Sequence, residues 1–284
     1  MKVFDDWIDL WALVIDGSPI HTASGDLLPV VREGTPAMLK IARTDEERRG
    51  ASLMIWYAGD GAARVLESAG PALLLERASG TASLADMSAR GLDDEAARIL
   101  CATAGRVHAP RPRANPPALV PLDRWFRALT SSPDPLLARA AGTARALLAE
   151  PQDVVVLHGD IHHGNVLDGA ERGWLAIDPK GLHGERTFDY ANIFCNPDRA
   201  TATAPGRLAR RIDIVSEAAH LDRGRLLKWV VAYAGLSAAW CLEDGEDAAL
   251  PFAVMRLASE TIAFFIGAAS RSRLDADGKP DRAR

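Results

Sequence analysis

Apolar residues in the first 76 positions form short runs that alternate with turn sequences. Leu13–Ile15 and Ala37–Ile41 are such runs, separated by the turn-forming stretches DGSP, SGD and REGTP. Two further strands are expected at Arg64–Glu67 and Ala72–Glu76, and residues 46–57 have the spacing of a helix. The pattern predicts a β-sheet with one helix.

The remaining chain alternates apolar and polar residues mainly at helical spacing. A hinge is expected at Ala78-Ser79-Gly80, and short buried strands at Val154–Leu157 and Trp174–Ile177. Helices are predicted near residues 93–108, 122–130, 134–149, 206–219, 223–242 and 248–269. The predicted class is α+β, with two lobes. A small β-rich lobe spans residues 1–77, a larger helical lobe residues 78–272, and a flexible tail residues 273–284.

Composition narrows the functional classes. The 284 residues are 48% hydrophobic and 25% charged, with a net charge of −5, which does not favour a nucleic-acid-binding protein. Three dispersed cysteines form no disulfide or metal motif. The N-terminal sequence lacks the pattern of a signal peptide, and no apolar run approaches the roughly 20 residues of a membrane span. We expect a soluble, cytoplasmic protein, either monomeric or homodimeric.

The most informative segment is HGDIHHGN, residues 158–165, which follows the strand Val154–Leu157. Asp160 and Asn165 are close enough for one loop to present both side chains, and Asp178 ends the next predicted strand. Phosphoryl transfer requires a carboxylate for the attacking hydroxyl and oxygen ligands for Mg²⁺. The order and spacing are those of HRDLxxxN followed by DFG in protein kinases.

These residues resemble the aminoglycoside and choline-type phosphotransferases, whose loop reads HGDxxxxN and is followed by IDP. The chain is most similar to the streptomycin 6-phosphotransferase and aminoglycoside-hydroxyurea kinase group. The similarity includes GWLAIDPKG at residues 173–181, Ala191-Asn192 with Phe194, and LSAAW at residues 236–240. It is strongest over residues 154–245. The resemblance implies a protein-kinase-like fold and an ATP-dependent kinase that acts on an alcohol group.

The resemblance also implies a role for each matched residue. Asp160 is expected to be the catalytic base, and Asn165 and Asp178 the Mg²⁺ ligands. Lys40 is expected to contact the α- and β-phosphates of ATP, held by an ion pair with Glu47. His158 and Asp189 are expected to support the loop rather than to react.

Other nucleotide contacts rest on weaker patterns. No GxGxxG run is present. The stretch containing Ser24 and Gly25 is therefore assigned to the phosphates, since its small residues would let backbone N–H groups approach them. A plain turn between two strands explains the same stretch. Glu76, at the end of the last strand before the hinge, is assigned to the nucleotide site as well. The choice between ATP and GTP stays open.

The acceptor is expected to be a cationic small molecule, most simply streptomycin, whose inactivation would give antibiotic resistance. The acidic turn Glu243-Asp244-Gly245-Glu246-Asp247 is assigned to the acceptor cleft, together with Asp198, because carboxylates attract guanidinium and ammonium groups. A solvated helix–helix turn explains the same acidic run. Amino sugars, neutral sugars and other small molecules remain alternative acceptors.

Two other classes of function compete with the kinase. A metallohydrolase would use His158, Asp160, His162 and His163 as ligands or base, although the remaining histidines form no paired ligand motif. It would leave Asn165 and the IDP sequence unexplained. A non-catalytic pseudokinase would usually lack the base or a metal ligand, and all three residues are present.

Overall fold

The computed structural model describes residues 2–111 and 115–277, with side chains up to residue 264. The strands near the N-terminus form an antiparallel sheet in the order β1-β3-β4-β6-β5, with β2 also paired to β3. Its strands are β1 (Val14–Ile15), β2 (Ile20–His21), β3 (Gly25–Arg32), β4 (Thr35–Ala42), β5 (Val65–Ala69) and β6 (Ala72–Glu76). Helix α1 (Asp5–Leu10) precedes the sheet, and helix α2 (Asp45–Tyr57) lies between β4 and β5.

Alternation along β4 sends Lys40 to the side of the sheet that faces the rest of the protein. Leu39 and Ile41 are buried in a small core on the outer face, together with Phe4 of the N-terminal segment. Successive side chains of a strand point to opposite faces. Lys40 therefore points toward helix α2.

Helix α2 lies unusually close to the loop that follows the IDP strand. Gly50 is buried, and a Cβ at this position would overlap the carbonyl oxygen of Pro179. Because glycine lacks a Cβ, the backbones approach closely and the polar face of α2 meets the DPK segment. Leu53, Met54 and Tyr57 on the helix pack into the main core.

The larger part of the protein is mostly helical. Its helices are α3 (Leu84–Ala89), α4 (Asp93–His108), α5 (Leu122–Trp125), α6 (Arg127–Thr130), α7 (Ala138–Ala149), α8 (Thr187–Ala191), α9 (Arg199–Ala202), α10 (Arg207–Ala219), α11 (Arg223–Asp244) and α12 (Ala249–Asp277). Helix α11 is central and contacts α7, α8 and α12. By length and composition α11 would be able to cross a membrane, but 67% of its most apolar stretch is buried. Such burial is typical of a core helix in a soluble protein.

Short strands carry the loops of interest. They are β7 (Val120–Pro121), β8 (Val154–Leu157), β9 (Val166–Asp168), β10 (Trp174–Ala176) and β11 (Leu182–Glu185). Strands β9 and β10 form a hairpin, while β11 lies between β7 and β8. The loop after β8 and the segment after β10 therefore lie side by side. Hydrogen bonds of Ala176 with Gly61 and Ala63 join this hairpin to the chain between α2 and β5.

The predicted α+β, two-lobed kinase-like class is confirmed. The predicted helices are present, and most of them differ from the prediction in their first or last residue. The last helix reaches Asp277, beyond the predicted end at residue 269. The predicted flexible tail at residues 273–284 begins inside that helix, and residues 278–284 lie outside the described residues. Helices α1, α3, α8 and α9 and strands β7, β9 and β11 were not predicted from the sequence. The boundary between the lobes at residues 77 and 78 remains a prediction.

Candidate active site

Asp160 is held by two amide groups and faces an open cavity. Its Oδ1 accepts a hydrogen bond from Asn192 Nδ2 at 2.7 Å, and its Oδ2 one from Asn165 Nδ2 at 3.0 Å. His162 Nε2 lies 3.6 Å from Oδ1. Burial alone would raise the pKa of this carboxyl, but interaction with His162 and the charge of Lys180 hold it below its usual range. The group is therefore ionised at neutral pH and able to accept a proton.

Buried hydrogen bonds hold the start of this loop. Asp189 accepts from the backbone N–H groups of His158 and Gly159 at 2.8 and 2.7 Å. It also bonds to His108 Nε2 at 2.7 Å. His158 Nε2 donates to the Ile177 carbonyl at 2.9 Å, and burial lowers the pKa of this fully buried imidazole. The contacts place His158 and Asp189 in the frame of the loop, away from the reacting side of Asp160.

Lys40 joins the sheet, helix α2 and the IDP segment through paired charges. Its Nζ forms ion pairs with Glu47 Oε2 and Asp178 Oδ1. Glu47 is buried, and its Oε1 accepts a hydrogen bond from the Ser24 hydroxyl at 2.7 Å. The structure thus forms the predicted Lys40–Glu47 ion pair, and it also places Asp178 on the same ammonium, a contact that the sequence did not predict.

A second lysine, Lys180, lies on the other oxygen of Asp178. Its Nζ is 3.1 Å from Asp178 Oδ2, 3.8 Å from Asp160 Oδ2 and 3.5 Å from Glu46 Oε1. Although burial opposes the charge of both groups, Lys40 and Lys180 lower the pKa of Asp178 to about 2, and the surrounding carboxylates raise the pKa of Lys180. The cluster of Glu46, Glu47, Asp160 and Asp178 with Lys40 and Lys180 has a formal charge of minus two.

That charge suits one divalent cation. Asn165 directs its side-chain N–H groups to Asp160, and among the described residues no donor bonds to its side-chain oxygen, which is therefore available to a metal ion. Carboxylate and amide oxygens are the ligands that Mg²⁺ prefers, and nucleotide-bound Mg²⁺ usually takes only one or two protein ligands. The residues present therefore fit Mg²⁺.

A cavity of about 660 Å³ opens beside Asp160. Trp125 and Trp240 form one wall in an edge-to-face pair with ring centroids 5.4 Å apart. Tyr233 also lines the cavity, and burial and the Asp160 charge raise the pKa of its hydroxyl well above the usual range. Charged residues complete the lining: Glu46, Arg49, Arg124, Asp160, Lys180 and Asp244.

Only one residue of the predicted acidic run lines this cavity. Helix α11 continues through Asp244, so Asp244 follows Tyr233 and Trp240 on one face of the helix. Glu243 lies about 100° around the helix and is exposed. Gly245 ends the helix, Glu246 lies in the turn and Asp247 caps α12 through the Ala249 N–H. Glu243, Glu246 and Asp247 therefore do not line this cavity, and their assignment to the acceptor stays a prediction.

Asp198 is also absent from the cavity wall. Its carboxylate caps α9 by accepting bonds from the Thr201 N–H and hydroxyl at 2.9 and 2.8 Å. The cap engages both carboxylate oxygens. The cap gives Asp198 a structural role, and its assignment to the acceptor site stays a prediction.

The weaker nucleotide assignments also have other partners in the structure. The Gly25 N–H donates to the Thr22 hydroxyl at 3.0 Å, and the Ser24 hydroxyl is engaged by Glu47. In this conformation, neither donor is directed at a phosphate. The Glu76 carboxylate accepts the Arg64 N–H and pairs with Arg172, so it joins β6 to the β9–β10 hairpin.

The histidines of the loop do not converge as metal ligands. His158 is bonded within the loop, His162 Nδ1 accepts from the Gly164 N–H, and both nitrogens of buried His163 lack a partner. Within the described residues, no group of three His, Cys, Asp or Glu side chains is arranged to hold a metal. The described part of the chain therefore gives the metallohydrolase alternative no support.

Sequence reasoning missed three contributors: Gly50, Lys180 and Asn192. Asn192 was quoted only for family resemblance, and its contact with Asp160 depends on a 3₁₀ turn at Asn192–Cys195. Lys180 stands in the DPK sequence next to a predicted ligand, which was the available signal.

Comparison with known proteins identifies the family. The model for "Aminoglycoside/hydroxyurea antibiotic resistance kinase" matches residues 10–245, most of the chain. The protein belongs to this family of kinases.

Individual relatives agree with that placement. The chain is 53% identical over 245 residues to streptomycin 3''-kinase of Klebsiella pneumoniae, covering 84% of this chain and 92% of that protein. It is 35% identical over 264 residues to streptomycin 6-kinase of Streptomyces griseus, covering 86% and 83%. Among solved structures, a thermostable mutant of aminoglycoside phosphotransferase APH(4)-Ia with ADP and hygromycin B has a TM-score of 0.66 at 15% identity, covering 91% and 98%. The last comparison supports the kinase-like fold.

Proposed function

We propose that this kinase transfers the γ-phosphoryl group of ATP to a hydroxyl of streptomycin. The observation that carries the proposal is the cavity beside Asp160, which joins a proton-accepting carboxylate to an aromatic and acidic wall. The identity of 53% with a streptomycin 3''-kinase supports the choice of acceptor. The proposed compartment is the cytoplasm.

The acceptor wall has the chemistry that a cationic, polyhydroxylated molecule requires. Trp125 and Trp240 offer aromatic faces to guanidinium groups, and Asp244 offers a carboxylate. Arg49 and Arg124 add donors for hydroxyl and ether oxygens. A molecule with sugar rings and guanidino groups uses both kinds of contact.

In the proposed reaction the acceptor hydroxyl lies against Asp160. Its oxygen attacks the γ-phosphorus as its proton passes to the Asp160 carboxylate, and the bond between the γ-phosphorus and the β–γ bridging oxygen breaks to release ADP. Asn165 and Asn192 orient the carboxylate, and Lys40 binds the α- and β-phosphates. Asn165 and Asp178 would hold Mg²⁺, which supplies positive charge to the phosphate oxygens.

The hydroxyl that reacts is a separate choice. The resemblance in the loop sequences favours a 6-kinase, whereas identity over most of the chain is 53% with a 3''-kinase and 35% with a 6-kinase. We propose the 3''-hydroxyl, because the 53% identity with the 3''-kinase covers 84% of this chain and exceeds the 35% identity with the 6-kinase.

Streptomycin-dependent ADP release by the purified protein tests the activity, and NMR of the product locates the phosphate. We expect a single phosphorylated product, modified at the 3''-oxygen. Phosphate at the 6-oxygen would contradict the regiochemistry alone. No ADP release with streptomycin, while amino sugars or other aminoglycosides are phosphorylated, would contradict the acceptor but leave the kinase activity intact.

A further inference from the structure

Lys180 occupies a position between the two ends of the proposed reaction. Its ammonium is 3.1 Å from Asp178, assigned to the metal and phosphates, and 3.8 Å from Asp160, assigned to the acceptor hydroxyl. The side chain lines the acceptor cavity, with a side-chain exposure of 16%. A substrate in the cavity thus has access to the Lys180 ammonium.

The transferring phosphoryl group must pass between these two carboxylates. Two anionic side chains so close to an anionic group oppose the approach of the acceptor and the phosphate. Lys40 lies on the far oxygen of Asp178 and pairs with Glu47, on the side away from the cavity. Among the described lysines and arginines, only Lys180 lies within 4 Å of both Asp160 and Asp178.

We propose that Lys180 is a further catalytic residue, whose ammonium contacts the γ-phosphoryl group during transfer. This inference rests on the proposed kinase reaction. Lys180 keeps its proton throughout, while the acceptor proton goes to Asp160 and the leaving electron pair to ADP. A fixed positive charge where negative charge must be accommodated is a strong form of transition-state stabilisation.

A purely structural role offers a competing explanation. The contact of Lys180 with Glu46, 3.5 Å away, ties the DPK segment to helix α2. The variants Lys180→Gln and Glu46→Gln both remove that ion pair, but only the first removes the ammonium. Lys228→Gln is the matched control, because it removes an exposed lysine of α11 away from the cavity.

The experiment measures kcat and two affinities for each full-length variant. One affinity is for a non-hydrolysable ATP analogue with Mg²⁺. The other is for ADP with aluminium fluoride, Mg²⁺ and streptomycin, a mimic of the transferring phosphoryl group. Lys180→Gln is expected to lower kcat by about 10²–10³-fold and to lose a similar factor in affinity for the mimic. Its affinity for the ATP analogue should stay within about threefold, because the contact forms only during transfer.

Glu46→Gln is expected to lose far less kcat than Lys180→Gln, and Lys228→Gln to match the wild type. Equal losses in Lys180→Gln and Glu46→Gln, or full affinity of Lys180→Gln for the mimic, would overturn the catalytic role. Melting curves check folding. If Lys180→Gln does not fold, Lys180→Arg decides: its displaced charge should lower kcat on the order of tenfold, and wild-type kcat would reject the proposal. A wild-type protein without kinase activity would instead overturn the proposed function and Lys180 with it.

Discussion

The two sides of the candidate active site are built differently. On the nucleotide side, Lys40 forms ion pairs with both Glu47 and Asp178, and Glu47 accepts a further hydrogen bond from Ser24. On the acceptor side, Asp244 and Arg124 line an open cavity without an ion-pair partner among the described residues. One side is preorganised by its own contacts, and the other presents groups that are available to a ligand.

This difference suggests that the nucleotide side carries out phosphoryl transfer and that the acceptor side determines which acceptor binds. Groups already held by several partners keep their geometry whichever acceptor binds, as transfer requires. Groups on the acceptor wall contribute to binding mainly when the acceptor is complementary to them in shape and charge. Mutations on the first side should therefore reduce turnover or nucleotide binding, whereas those on the second should alter the KM of the acceptor.

Asp160→Asn should have the largest effect. The substitution nearly preserves shape but removes the proton acceptor, so kcat should fall by roughly 10²–10⁴-fold. Calorimetry should show nearly unchanged affinity for an ATP analogue. A variant with wild-type kcat would show that Asp160 is not the base.

Asp178→Ala should act on the nucleotide instead. Loss of a metal ligand is expected to weaken Mg²⁺-dependent binding of an ATP analogue by about 10–100-fold or more. Titrations with and without Mg²⁺ isolate the effect, because binding without the metal serves as the internal control. Full retention of the magnesium enhancement would remove Asp178 from the metal site.

The residues that were predictable share a property: each belongs to a short segment with a fixed local geometry. Asp160 and Asn165 lie on one loop, and Asp178 ends the adjacent hairpin strand, so spacing alone brings them together. The position of Lys40 also follows from local geometry, because strand alternation and the following helix place it opposite Glu47. The two lobes were predictable because apolar residues form short strand-like runs in the first 76 positions and recur mainly at helical spacing after them.

The parts that were not predictable depend on contacts between distant segments or on where a helix ends. Gly50 matters through Pro179, far along the chain. The acidic run looked uniform in sequence, but its residues separate because α11 ends at Asp244 and a turn follows. Each step along a helix turns the side chain by about 100°, so neighbouring carboxylates face different surroundings.

Trp240→Ala should produce a moderate effect confined to the acceptor. Loss of an aromatic face for a guanidinium costs about 1–2 kcal/mol, so KM for streptomycin should rise roughly 5–30-fold, with KM for ATP nearly constant. Trp240→Phe keeps an aromatic face and should recover much of the loss. A matching rise in the KM for ATP would indicate general damage to the large lobe, since Trp240 also packs against the core.

Asp244→Asn should give the smallest effect and tests whether Asp244 is the carboxylate of the acidic turn that contacts the acceptor. Both Asp244 and Glu243 are exposed, but only Asp244 lines the cavity, because Glu243 lies about 100° around the same helix. The charge of Asp244 is open to solvent, so its loss should raise KM for streptomycin only about 2–5-fold at low salt. The effect should shrink as salt rises, because charges are screened within about 8–10 Å at physiological ionic strength.

Glu243→Gln removes the same charge one residue away and should leave KM within about 1.5-fold of the wild type. Steady-state kinetics of both variants are measured at two salt concentrations. Equal increases in KM would mean that streptomycin is attracted by the overall negative charge of the acidic turn and does not contact Asp244 specifically.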